Sequence, residues 1–146
     1  MREFITIVEN AEGLFGPIYH RTNAIGSFSD FDLEKASPSA ILGPAIYATF
    51  GDGGEWNANH LKDGHTLTGY VRGKVIDLTN VAPEDLAAFG ELVGRPVDAL
   101  PVIGMEKRFG SVAAGLKAAG YAAAIHQGPG SSGKHIAVFD KASIVA

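Results

Sequence analysis

Gly43-Pro44-Ala45-Ile46-Tyr47-Ala48-Thr49-Phe50 reads as a tight turn running into a strand with a tyrosine at its centre. Upstream, Ile18-Tyr19-His20-Arg21-Thr22 is a second strand-like stretch, ending in a histidine and a threonine. Placed on adjacent strands, His20 and Tyr47 would line a small polar and aromatic cleft, suited to a hydroxyl-rich ligand with a flat ring.

The rest of the chain alternates strands and helices irregularly. Phe4 to Val8 predicts a short strand, Gly13 to Pro17 a turn, and Asn23 to Leu42 an irregular stretch. In that stretch Phe28 and Phe31 serve as core anchors, and Ser37-Pro38-Ser39 forms a turn. Gly53 to Leu61 predicts one or two helical turns with Trp56 and His60 on one face. His65 to Leu78 reads as mostly strand, with a bulge or bend at Gly73-Lys74. Thr79 to Val93 predicts a helix with Pro83, Glu84 and Asp85 in its first turn and Gly94 at its end. Met105 to Ala119 predicts a second helix stopped by Gly120. Tyr121 to Ile125 and His135 to Asp140 read as strands around a flexible Gly-Ser loop, with Ile144 and Val145 pairing at an edge. Without a regular βαβ alternation the prediction is an α+β fold in a single domain over 1–146.

Composition narrows the function classes. With 146 residues, 46% hydrophobic and 19% charged, the chain is globular rather than disordered. No apolar run approaches the ~20 residues that span a bilayer, so no membrane role is expected. Met1-Arg2-Glu3-Phe4 does not resemble the start of a cleaved leader, and the absence of cysteine fits the cytoplasm. It also excludes disulfides, thiolate metal sites and a cysteine nucleophile. A net charge of −4 with no basic block argues against tight binding of nucleic-acid phosphates. The Gln127–Gly133 loop lacks the Gly-Lys-Ser/Thr ending of a phosphate loop and opens no helix. His60, Asp63 and His65 lack a clear further ligand, so no metal site is predicted. Arg72 and Arg108 read as solvated surface charges.

The order of these parts resembles the ADP-ribosyltransferase superfamily, in particular the small domains of phage and mobile-element polyvalent proteins. The resemblance rests on Tyr19-His20-Arg21-Thr22, Phe28 and Phe31, Gly43 to Phe50, Val75-Ile76-Asp77-Leu78-Thr79, Gly120-Tyr121-Ala122, and Ile136-Ala137-Val138-Phe139-Asp140 followed by Ile144. Together these span residues 18–145. The resemblance implies a split β-sheet with flanking helices around an NAD cleft, and an NAD-dependent mono-ADP-ribosyltransferase of phage or bacterial effector or toxin type. NAD would be substrate, a protein or nucleic acid the acceptor, and an antitoxin or inhibitor a possible partner. His20 would bond the ribose nearer adenine, the Arg21 backbone would pair with the nicotinamide amide, Thr22 would support the strand, and Tyr47 would stack on the nicotinamide ring. The family's glutamate, four residues before the aromatic of the final strand, falls on His135 here. Three outcomes stay open: His135 substitutes with altered chemistry, a carboxylate such as Glu55 or Asp140 reaches the site, or turnover is lost. An NAD glycohydrolase, a non-catalytic NAD or ADP-ribose binding module, and an interaction protein with an unrelated α+β fold are the alternatives.

Overall fold

The computed structural model describes residues 13–22, 42–50, 64–127 and 133–145. Seven strands and three α-helices are formed among the described residues, and the class is α+β as the sequence predicts. The strands are β1 (Phe15–Thr22), β2 (Ile46–Phe50), β3 (His65–Val71), β4 (Lys74–Asp77), β5 (Tyr121–Gln127), β6 (Lys134–Val138) and β7 (Ile144–Val145). The helices α1 (Pro83–Val93), α2 (Val102–Phe109) and α3 (Val112–Ala118) all fall between β4 and β5. The sheet order is β4-β5-β6-β2-β1-β3-β7. Among the described strands only β4 and β5 pair in parallel. A parallel neighbour needs a crossover, and the three helices are that crossover, which confines them to one face of the sheet.

The β3–β4 link shapes the whole sheet. These strands stand sixth and first in the order, five strand spacings or about 24 Å apart if the sheet were flat. Yet only Arg72 and Gly73 join them, and Val71 to Lys74 spans at most about 11 Å. The sheet must therefore curl back on itself. Its concave face closes over an apolar core that draws Phe15, Ile18 and Val71 from one half and Val75, Ile125 and Ile136 from the other. Gly73 turns the corner at φ +121°, where a Cβ would stand 2.8 Å from the Cβ of Ala122, so a side chain is excluded both by conformation and by space.

The opposite face carries the helices. Phe89, Met105, Val112 and Leu116 pack there against Ile76, Ala124, Ala137 and Phe139. Small residues on the strands let the helices approach closely.

Several expected boundaries shift. Phe15 belongs to β1 rather than to a turn: it pairs with Val71, and the register slips between Phe15 and Ile18 around Pro17. A proline has no N–H to give the ladder, so it sits where the ladder is interrupted. The helix expected from Thr79 starts at Pro83, because the Asp77 carboxylate accepts from Thr79 N (2.9 Å) and Thr79 Oγ1 (2.5 Å) and holds a turn there. The helix expected over 105–119 is two helices. Gly110 ends α2 in the left-handed region (φ 92°), and Ser111 caps α3 by accepting from Ala114 N at 3.0 Å. β5 runs two residues beyond Ile125, and β6 spans Lys134–Val138, stopping before Phe139. Ile144 and Val145 pair at the sheet edge as expected, on β3. The expected strand Phe4–Val8, the anchors Phe28 and Phe31, the 37–39 turn and the helical turns of 53–61 with Glu55, Trp56 and His60 lie outside the described residues, as does most of the Gly-Ser loop.

Candidate functional site

Alternation along the strands decides which side chains meet. On the helix-bearing face Ala124 of β5, Ala137 of β6 and Tyr47 of β2 stand abreast, joined by the registers Ala124↔Ala137 and Tyr47↔Ala137. The next rung on that face, two residues along, is His126, His135 and Thr49, through His126↔His135 and Thr49↔His135. One rung is apolar apart from Tyr47 and is covered by helices. The other is a row of buried polar groups: His126 is 7% exposed, His135 5% and Thr49 1%.

Tyr47 is held at its hydroxyl. The phenol donates to Gly43 O (2.6 Å) and accepts from Leu42 N (3.1 Å). That turn is itself tied to α3 by Ala113 N donating to Leu42 O at 2.8 Å. The expected Gly43-Pro44 turn and the tyrosine at the strand centre therefore form one unit, clamped to a helix start. Burial raises the Tyr47 pKa above its ordinary value, against a smaller lowering from the Leu42 N–H, so the phenol keeps its proton and remains a donor. The ring meets His126 edge-on, centroids 5.7 Å apart. Because β6 lies between β2 and β5, the Tyr47 ring must reach across that strand, and the small side chain of Ala137 leaves it room.

His126 and His135 are direct cross-strand neighbours with rings 6.1 Å apart and inclined at 68°. Burial lowers both pKa values, and for His135 the neighbouring His126 adds to the effect. Both rings are therefore neutral at pH 7. The Nδ1 of His126 lies 3.1 Å from the Gln127 carbonyl, which can only accept, so Nδ1 carries the proton. Its Nε2 is then a lone-pair acceptor, buried and without a hydrogen-bond partner among the described residues.

His20 sits differently. It shares the side of β1 with Ile18, and its partner on β3 is Leu67, both in the concave core. The β1–β2 register consists of Ile18↔Phe50 and Tyr19↔Thr49. Just beyond it His20 Nδ1 donates to Tyr47 O at 2.6 Å, so an imidazole bridges the two strands where the ladder stops. Arg21 and Thr22 complete β1, their backbones in register with Thr66 and His65 of β3.

Of the residues singled out from sequence, the fold thus joins His20 to the backbone of Tyr47, and the rings of Tyr47 and His135 to a common neighbour, His126. Of the two expected carboxylates, Glu55 lies outside the described residues and Asp140 is engaged elsewhere. Asp140 lies about 16 Å along the chain from His135 if extended. There it caps Ala142 N (3.0 Å) and pairs with Lys117 (3.4 Å); the Ala142 N–H is the larger cause of its lowered pKa. Asp77 is buried in its own turn and pairs with Lys134 at 3.6 Å. Arg108 is a surface residue that donates to Leu92 O at 2.6 Å and ties α2 to the end of α1. His65 is exposed at the start of β3.

The residue that sequence reading misses is His126. The one local signal is a histidine closing an otherwise apolar Tyr-Ala-Ala-Ala-Ile run. Its partners appear only with the β5–β6 register. The chain matches no family model, no curated protein and no solved structure. No helix among the described residues is long and apolar enough to cross a membrane.

Proposed function

We propose that this chain is an NAD-binding domain of ADP-ribosyltransferase type, transferring ADP-ribose to a macromolecular acceptor. The observation that carries the reading is the end of the β1–β2 ladder, where His20 on the concave face donates to the Tyr47 carbonyl while the Tyr47 ring, anchored at its hydroxyl, lies on the helix-bearing face. A ring anchored at one end is preorganised to stack on a flat heterocycle, because little side-chain freedom is lost on binding. The described strands form one continuous seven-stranded sheet, and its division into the split sheet that the motif order implies is part of this proposal.

Transfer breaks the bond between ribose C1′ and the nicotinamide nitrogen through a cation-like ribose. A site that favours it must hold the leaving ring and place acceptors around the ribose. His135 stands where the motif order calls for a glutamate. A neutral imidazole can orient a hydroxyl and supplies no negative charge, so turnover is slower than a carboxylate would give.

The same observation supports a second reading, an NAD or ADP-ribose binding module without turnover, since among the described residues Asp77 and Asp140 are both engaged elsewhere. Nicotinamide release from NAD by the purified protein separates the two. In the transferase reading release occurs and falls at least tenfold in His20→Ala and Tyr47→Ala. Free ADP-ribose with no labelled acceptor would mark a glycohydrolase instead. Binding without release leaves the module, and neither binding nor release removes NAD from the account.

A further inference from the structure

Within the described residues, His126 Nε2 is a buried acceptor whose need for a donor the protein does not meet. The tautomer is set by the Gln127 carbonyl, so the free lone pair is a fixed feature of the ring and not a matter of choice between two nitrogens. The ring is held on two sides, by the edge contact with Tyr47 at 5.7 Å and by His135 at 6.1 Å. A buried polar atom without a partner opposes folding, and such atoms persist where a ligand or an enclosed water completes them.

We infer that His126 Nε2 accepts a hydrogen bond from a ribose hydroxyl of the bound nucleotide, an inference that rests on the NAD reading above. It follows from the placement of the rung. His126 stands edge-on beside the Tyr47 ring, to which the NAD reading assigns the heterocycle. Its cross-strand partner His135 occupies the position expected for the hydroxyl-binding carboxylate. Of the two histidines, His126 is the one whose protonation is fixed and whose second nitrogen is free. An uncharged, buried acceptor favours a neutral donor, and a hydroxyl satisfies it without placing a charge against the ring. His126 is thus a ligand-binding residue that no motif identifies.

The test is histidine side-chain ¹⁵N NMR of the whole protein at neutral pH, titrated separately with NAD, ADP-ribose and nicotinamide. The free protein should show Nδ1 protonated and Nε2 unprotonated for His126. NAD and ADP-ribose, which carry ribose, should shift Nε2 and leave Nδ1 in place. Nicotinamide alone should do neither. In parallel, His126→Phe keeps a ring against Tyr47 and His135 and removes the acceptor, and should weaken NAD binding about tenfold. Nucleotide binding that moves the His20 resonances and leaves His126 Nε2 unchanged would overturn the inference while the NAD reading stands. So would an Nε2 already hydrogen-bonded to a trapped water and unaltered by ligand, or one shifted by nicotinamide alone. An absence of any nucleotide binding would remove the NAD reading, and this inference with it.

Discussion

Strand β5 carries a buried polar pair at each end, one a hydrogen bond from sheet to helix and the other a ring contact within the sheet. At its start the Tyr121 hydroxyl donates to Asp85 Oδ1 in the first turn of α1, with the Phe89 ring 6.3 Å away and Lys74 Nζ 4.7 Å above the Tyr121 ring. At its end His126 and His135 touch through their rings, and a ring nitrogen is left over. The first pair links sheet to helix. The second pair satisfies only part of its hydrogen-bonding capacity. The two ends therefore differ in what they join: the Tyr121 hydroxyl ties a strand to a helix, whereas the histidine rings meet within the sheet, where the NAD reading places the nucleotide.

If that contrast is right, damage at the two ends should differ in kind. Phe89→Ala, at the tied end, removes a fully buried ring and should cost about 3–5 kcal/mol in chemical denaturation, while NAD affinity of the folded fraction is unchanged. Tyr121→Phe keeps the ring and deletes the hydroxyl, leaving the Asp85 carboxylate short of a donor. A loss of about 1–3 kcal/mol is expected by the same assay, and a loss below about 0.5 kcal/mol would deny this pair its linking role.

Acid should act on the histidine end. Burial depresses both histidine pKa values below the unfolded value of 6.5, so between the folded and unfolded values the unfolded chain binds more protons. Stability is therefore complete above about pH 6.5 and declines as the pH falls toward the folded pKa values. Thermal unfolding across pH 4.5–8 should show this decline. It should be reduced in a His126→Phe, His135→Phe double variant, and an unchanged profile there would place the acid sensitivity elsewhere. The smallest effect is expected for His126→Phe alone at pH 7.5. It removes an unsatisfied nitrogen and one bond to the carbonyl of an exposed residue, so stability should stay within about 1 kcal/mol of the parent. A much larger loss would make His126 a structural residue.

What the sequence discloses follows the range of the forces involved. Ile46–Phe50 is legible residue for residue, since a turn followed by alternating β-formers is a local pattern. The bend at Gly73 and the helix end at Gly94 are legible because glycine at positive φ leaves a signature in composition. The break at Gly110-Ser111, a helix stop followed at once by a cap residue, is hidden by the continuous apolar spacing around it. Pro17 conceals the start of β1 by resembling a turn, and Asp77 delays α1 through a side-chain bond that no periodicity reports. The curl of the sheet and the rung of Thr49, His135 and His126 depend on strand order and register, contacts between residues far apart in the chain. His20 and Tyr47 could be singled out from local motifs, but that they meet through a backbone carbonyl could not.

The most direct test of the account is an NAD titration followed by backbone amide shifts over the whole chain. The account predicts that perturbations gather at the β1–β2 break around His20 and Tyr47 and at the His126–His135 rung, while Tyr121, Asp85 and Phe89 remain silent. Shifts centred on the helices at the tied end, or none at millimolar NAD, would contradict it.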